Sequence, residues 1–333
     1  MTHELKQIVR QYEKRRDRAV LATVVALDGS SYRRPGVRMM IFGNGDIIGA
    51  VSGGCVEKEV FHQASSVFAT GRSRIMAYDG RYRLGCEGIL YILIEPFHPE
   101  QAFLEEFWGC MQGRKPFTIT SFFKKEAGED PAYHSLFDFS GQVFPINDRV
   151  QKQAQGLLRF KQQLAPCFQL LILGAEHDAV QLCHFAALAG WEVTVVANPR
   201  EEKSERDFPG VHSFIQSEPE AFVHALDLQT AVMVMTHSFV KDLQFTMALS
   251  GERAAYFGLL GPTKRREKLL GELLERQPEV PEAFLEGIHG PAGIDIGAET
   301  PQEIAVSILS EIIATLNGRP TNSLKSKGGK IHS

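Results

Sequence analysis

Between Thr23 and Glu57 the chain gathers the residue types that an anion site with a soft ligand beside it would need: TVVALDGSSYRRPGVRMMIFGNGDIIGAVSGGCVE. An apolar run breaks at Asp28, Gly29, Ser30 and Ser31, a basic cluster follows at Arg33, Arg34 and Arg38, and Ser52, Gly53 and Gly54 lead into Cys55. From Cys55 to Thr70 the spacing of Val56, Val60, Val67 and Phe68 is helical, which puts Cys55 at a helix N-terminus. The first N–H groups of a helix have no intrahelical partner and the macrodipole is positive there, so an anion or a thiolate is stabilised. Gly53 and Gly54 lack a Cβ and admit positive φ and a close approach of the backbone to a ligand. The plainer alternative is a tight turn with a buried cysteine beneath it, because free cysteine is among the most buried residue types. A second loop, Arg81 to Gly88, pairs another glycine-flanked cysteine, Cys86, with Arg81 and Arg83. Cys86 and Glu57 are secondary candidates for the same site.

The elements that must position these loops form an α+β first half. Ala19 to Leu27 and Val37 to Phe42 read as strands, and Gly43-Asn44-Gly45-Asp46 has the chemistry of a tight hairpin turn into Ile47 to Val51. Further strands are expected at Arg74 to Tyr78, at Ile89 to Glu95 with Pro96 and Pro99 ending it, and at Phe117 to Phe123, with weaker extended segments from Ala132 to Phe144. Helical patterns lie near the N-terminus, where Leu5, Ile8, Val9 and Tyr12 share a face, and at Gln101 to Gln112. The first domain is placed at 1–146. The polar stretch 147–166 reads as a connection, helical in part.

From 167 to 318 strands and helices alternate. Phe168 to Leu173, Trp191 to Val196, Ala231 to Met235 and Ala254 to Phe257 are strand-like, with helices at Asp178 to Ala189, Val240 to Leu249 and Lys264 to Leu274. The fold class is therefore α/β, an N-terminal α+β domain followed by a Rossmann-like doubly wound parallel-sheet domain. The first βα turn, Gly174-Ala175-Glu176-His177-Asp178-Ala179, carries a carboxylate where a dinucleotide fingerprint has its second glycine, and Asn198 stands where a ribose-binding acid is expected. Ordinary NAD(P) binding is disfavoured on both counts. Gly174, Ala175 and His177, with Asn198 and His237 at neighbouring strand ends, stay open to another anion or nucleotide, the alternative being a sheet kept for structure and dimer contacts. Thr300, Pro301 and Glu303 supply an N-cap, an N1 proline and a capping-box acid for a last helix whose buried face is Ile304, Ile308, Ile312 and Leu316. The tail 319–333 has the composition of a disordered segment.

Composition excludes several classes. A formal net charge of −4 over 333 residues argues against nucleic-acid binding. No run approaches a membrane span, and the N-terminus has no apolar signal-peptide core. Five cysteines at irregular spacing with no CxxC fit a reduced cytoplasmic protein better than a disulfide framework or zinc cluster.

Seven segments in order, GSSYRRPGVRMM, SGGCVEKEV, GCEGILYILIEP, LLILGAEHDAV, VMTHSFVKDL, YFGLLGPTKRREKL and GPAGIDIGAETPQEIAVSILSEIIA, resemble the XdhC/CoxI family, accessory proteins of xanthine dehydrogenase and related molybdenum hydroxylases. The resemblance implies a two-domain cytoplasmic protein that binds molybdenum cofactor (molybdopterin), protects it and helps insert it into an apo xanthine dehydrogenase or related hydroxylase of purine catabolism. A sulfurating cysteine desulfurase is an implied partner, a homodimer is compatible with the apolar helices, and no intrinsic turnover is implied. The family's cofactor cysteine falls on Cys55, so Cys55 is the candidate ligand to molybdenum or its sulfido group. Gly53, Gly54 and Ser52 would receive phosphate or oxygen ligands, and Arg33, Arg34 and Arg38 would supply charge-assisted hydrogen bonds. The chain departs from the family at Glu87, where GCGG is common, at Glu176, where GAGH is common, and at THSF, where THDH is often seen.

Overall fold

The computed structural model describes residues 1–29, 34–82, 88–147 and 156–326 and divides into two units, Met1–Pro166 and Cys167–Ser333. In the first unit α1 (Thr2–Arg15) precedes β1 (Ala19–Asp28), β2 (Arg38–Phe42) and β3 (Ile47–Gly49). Then come α2 (Cys55–Thr70), β4 (Arg74–Asp79), β5 (Ile89–Phe97) and α3 (Gln101–Gln112). The unit closes with β6 (Phe117–Phe123), β7 (Gly128–Glu129), β8 (His134–Phe139), β9 (Gln142–Pro145) and β10 (Leu158–Leu164). One sheet runs β3-β2-β1-β5-β4-β7 and a second β10-β6-β8-β9.

β1 is buried from Ala19 to Val25 because both faces of its sheet are covered. On one face Val20, Ala22 and Val24 meet the apolar stripe Val56, Val60, Ala64 and Val67 of α2. On the other, Leu21, Met40 and Phe42 pack with α1, α3 and an aromatic group from the second sheet that includes Phe117 and Phe137. The α2 stripe, spaced three and four residues apart, is what aims the start of that helix outward.

Charged groups lie between the two sheets. Glu95 is fully buried, accepting hydrogen bonds from the Ser135 amide (2.9 Å) and hydroxyl (2.6 Å). Arg38 is also buried, its Nη1 donating to the Gly36 carbonyl and to Gln162 Oε1, both at 2.8 Å. Burial moves Arg38 down to about 10 and Glu95 up to about 7, each effect opposed by the opposite charge of the other.

Three features differ from the sequence expectation. Within the stretch expected to connect the domains, Leu158–Leu164 is a strand that pairs along its length with β6 as part of the first unit, while residues 148–155 lie outside the described residues. The strand's polarity reflects an edge position with one face exposed. Pro96 lies inside β5 and does not end it. Beyond Ile94 the strand pairs with β1 alone, and a proline is tolerated where its missing N–H faces an unpaired side. Ser213–Gln216 is a strand without an apolar run, since it is the half-buried edge of its sheet.

The second unit runs β11 (Gln169–Leu173), α4 (His177–Leu188), β12 (Glu192–Ala197), β13 (Ser213–Gln216), β14 (Thr230–Val234), α5 (Phe239–Leu249) and β15 (Tyr256–Leu259). It ends with α6 (Thr263–Arg276), α7 (Glu282–Glu286), β16 (Ile288–His289) and α8 (Pro301–Leu316). All its strands are parallel in the order β13-β12-β11-β14-β15-β16, the doubly wound arrangement, with the order reversing between β11 and β14. Apolar clusters cover both faces. Thr300 and Glu303 form the expected capping box at α8. Residues 319–326 carry one short helical turn, Leu324–Ser326, and the rest of the tail lies outside the described residues. Among the described residues no helix is long and apolar enough to cross a membrane.

Glu95 holds its proton in the folded state up to about pH 7, against an ordinary value of 4.5, so between those pH values the folded chain binds a proton that the unfolded chain has released. Stability is expected to fall as pH rises through that window, by an amount of order 3 kcal/mol, and to level off above it. In Glu95→Gln the slope disappears, as read from urea midpoints of both proteins between pH 5 and pH 8.

Candidate functional site

The thiol of Cys55 begins α2 and is exposed, whereas Cys110, Cys167 and Cys183 are buried. Burial pushes the Cys183 thiol up to about 12, which leaves it inert. The turn before Cys55 is fixed at both ends. Val51 is buried in the core under α2, and the Glu57 carboxylate reaches back to accept from the amides of Ser52 (Oε1, 2.5 Å) and Gly54 (Oε2, 2.5 Å). Gly54 has φ +107° and ψ −45°, a conformation that side chains resist. Gly53 has no such demand, and among the described residues a Cβ built at either glycine meets no atom within 4 Å. Among the described residues the surface over Gly53, Gly54 and Cys55 is therefore open. Two of the amides that the sequence offers to an anion are already bonded to Glu57, which acts here as the cap of the helix. The spacing of Glu57 from Ser52 and Gly54 is the signal for that role, and it competes with the ligand role that the same acid suggests in the sequence.

Among the described residues Arg34 and Arg38 do not come together as expected. Arg34 is exposed. Arg38 is not on the thiol's surface at all, because its place in β2 turns it inward to Gln162 on β10, where it ties the Gly36 backbone to the second sheet. A Cβ at Gly36, which has φ +101°, would overlap the Gln162 side chain, so the base of the arginine-bearing loop is closely packed. Arg33, Cys86 and Glu87 lie outside the described residues. Gln162 and Glu95, the partners of this buried region, have no local signature, since they sit 124 and 57 residues from Arg38.

In the second unit the turn residues gather at the carboxyl ends of β11, β12 and β14, where open α/β sheets bind ligands. Gly174 has φ +131°, and a Cβ there would overlap the Met235 carbonyl, so this glycine serves the packing of the turn on the end of β14. Ala175 is buried, while Glu176, the N-cap residue of α4, and His177, which opens that helix, are exposed. His237, at φ +57°, places Nε2 3.3 Å from Asp178 Oδ2. Asn198 is buried, donating to Glu218 Oε2 (2.7 Å) and accepting from the Arg200 amide (2.9 Å). Glu176, Asp178 and Glu218 thus contribute negative charge where a pyrophosphate and ribose would approach.

Two ties hold the neighbouring loops. Asp242 accepts from the Thr236 amide (3.0 Å) and hydroxyl (2.6 Å) with one oxygen and from Arg265 Nη2 (2.6 Å) with the other. Glu311 accepts from the Tyr256 hydroxyl (2.6 Å) and the Gly293 amide (2.6 Å) and lies 3.0 Å from His289 Nδ1, fastening the glycine-rich loop before α8. Burial, then Glu311, raise the Tyr256 phenol well above its ordinary value. Sequence reasoning singles out His237 but not Asp242, Tyr256 or Glu311, whose spacings follow no motif. Among the described residues no group of three or more His, Cys, Asp or Glu could hold a metal ion.

Two family models match the chain: the XdhC and CoxI family at residues 13–79 and the XdhC Rossmann domain at 170–312. A Bacillus subtilis (strain 168) protein named as a probable xanthine dehydrogenase subunit is 31% identical over 325 residues, covering 90% of this chain and 93% of its own. The chain belongs to the XdhC and CoxI family. Another relative, the molybdenum cofactor insertion chaperone PaoD of Escherichia coli (strain K12), is 25% identical over 299 residues, 88% of this chain and 82% of its own. The fold is that of a Bacillus halodurans crystal structure named as a xanthine dehydrogenase, with a TM-score of 0.78, 23% identity, and coverage of 97% of this chain and 98% of that one. The doubly wound unit is the XdhC Rossmann domain, and the open cysteine turn falls within the XdhC and CoxI match.

The two glycines before Cys55 should separate in a stability measurement. Gly54→Ala is expected to lower unfolding free energy by about 1–3 kcal/mol through backbone strain. Gly53→Ala should stay within about 0.5 kcal/mol of the parent, as for an unstrained surface change. Urea denaturation of both variants checks this pair.

Proposed function

We propose that the chain holds molybdenum cofactor on its first unit, with Cys55 as the soft ligand, and passes it to an apo hydroxylase of the xanthine dehydrogenase type. The observation that carries this reading is an exposed thiol at the start of α2 beside an open glycine surface. Molybdopterin presents a phosphate and a metal with oxo and sulfido ligands, and thiolate sulfur suits such a centre. The relative named as a molybdenum cofactor insertion chaperone, similar over most of the chain, supports the cargo, and the relative named for xanthine dehydrogenase supports the client.

The residues fit that cargo in kind. Cys55 would contact the metal or its sulfido group, the first-turn amides of α2 and the Gly53 backbone would face oxygen ligands, and Arg34 is the described arginine available for the phosphate. Glu57 keeps the turn rigid by occupying the Ser52 and Gly54 amides, so the thiol is presented in one place. Charge favours the same unit. Residues 1–166 hold 22 Lys and Arg against 18 Asp and Glu, and residues 167–333 hold 14 against 22, so an anionic cargo is drawn to the first half and repelled by the second. The carboxylates at the strand ends of the Rossmann unit speak against a nicotinamide-dependent oxidoreductase.

Anaerobic isolation should yield molybdenum and pterin with the parent chain, the pterin read as its fluorescent oxidation product. Cys55→Ser is expected to reduce both by about tenfold or more, a loss of about 1.4 kcal/mol in holding free energy. Equal loading of the two proteins would remove the thiol from the binding role.

A further inference from the structure

Away from the thiol, the first unit carries an apolar hollow that the cofactor reading leaves unused. It has a volume of about 590 Å³ and is walled by Phe42 of β2, the turn at Gly43 to Gly45, and Phe61 and Phe68 of α2. A second hollow of about 310 Å³ shares Arg18 and Phe68 with it and runs on towards Phe97. Phe61 is 45% exposed, and Ile47, paired across the hairpin with Ile41 of the floor, is 44% exposed. Large apolar side chains left open around a concavity mark an interaction surface more often than they mark chance.

The basic residues around it say what kind of surface fits. Lys14 and Arg15 end α1, Arg16 and Arg18 come after it on either side of Asp17, and Arg72 follows Gly71 of the smaller hollow. Arg15 is answered by Asp46, and Asp17 is an acid of the lining. Arg18, between the two hollows, stacks over the Phe68 ring at 5.8 Å and donates to the Phe68 carbonyl. Among the described residues neither partner neutralises its charge, so a cation stays at the centre of the apolar surface. The chain's own tail cannot complement it, since Arg319, Lys325, Lys327 and Lys330 make that tail basic.

Building on the cofactor reading, we propose that this groove docks the client: a surface segment of the apo hydroxylase that inserts one or two bulky apolar side chains, with a carboxylate set against Arg18. Phe61 lies six residues beyond Cys55 on α2, about 9 Å along the axis and about 120° around it. A segment seated on Phe61 and Phe68 therefore lies beside the thiol without covering it, and the cargo can leave towards the bound client.

The test measures binding of the full chain to the apo form of the xanthine dehydrogenase-type hydroxylase encoded by the same genome, at two salt concentrations, with pterin content recorded in parallel. Phe61→Ser with Arg18→Glu should weaken client binding by about tenfold or more and flatten its salt dependence, leaving pterin content and melting temperature unchanged. Arg18→Lys alone, with Phe61 kept, should retain most of the client binding. Unchanged client binding in the double variant overturns the proposal, as does a parent chain that fails to bind the client. A dimer by ultracentrifugation that becomes a monomer in the double variant also overturns it, assigning the groove to a second copy. If the parent carries no pterin but binds the client through Phe61 and Arg18, the docking surface stands and the cargo reading fails.

Discussion

The placement of Cys55 depends on one short-range interaction, a carboxylate bonded to two backbone amides of the turn that precedes its own helix. Glu57 takes the Ser52 and Gly54 amides together, which holds Gly54 in a strained conformation and makes the entry to α2 a single rigid shape. The helix behind it is held by Val56, Val60, Ala64 and Val67 against the sheet. Burial of that stripe contributes most of the holding energy, at roughly 1.5–3 kcal/mol for a fully covered valine. Removing the carboxylate would leave the stripe in place but free the turn, and the thiol would lose its fixed direction.

A second constraint works across sequence distance. Glu95, Ser135, Arg38 and Gln162 tie the large sheet of the first unit to the small one by buried hydrogen bonds. Glu95 and Arg38 are each buried charges held by partners on the second sheet, so these two pairs specify how the two sheets meet more than they add net stability. Arg38 belongs to this architecture. Its position in a run of arginines suggests a ligand, but it is the member of that run whose strand points it inward.

Much of this is legible in one dimension where periodicity and burial agree. The limits of α2, α3 and β6 follow directly from apolar spacing, and the βα alternation after residue 167 determines the class of the second unit. What the sequence hides has a common cause. β10 and β13 are edge strands whose exposed faces leave no strand pattern, and Pro96 reads as a stop because the strand's change from two neighbours to one leaves no local trace. At the thiol, residue types are legible but occupancy is not. The same glycines, amides and acid can face a ligand or one another, and only geometry shows that Glu57 is already bonded to two of those amides.

The first and last segments of the N-terminal unit touch. Gln162 Nε2 lies 3.2 Å from the sulfur of Met1, the Thr2 hydroxyl donates to the Ala165 carbonyl at 2.7 Å, and Gln162 fills the space over Gly36. A ribosome making this chain releases α1 and the arginine-bearing loop long before the strand that locks them. The N-terminal unit therefore completes its packing only once about half the polypeptide has emerged.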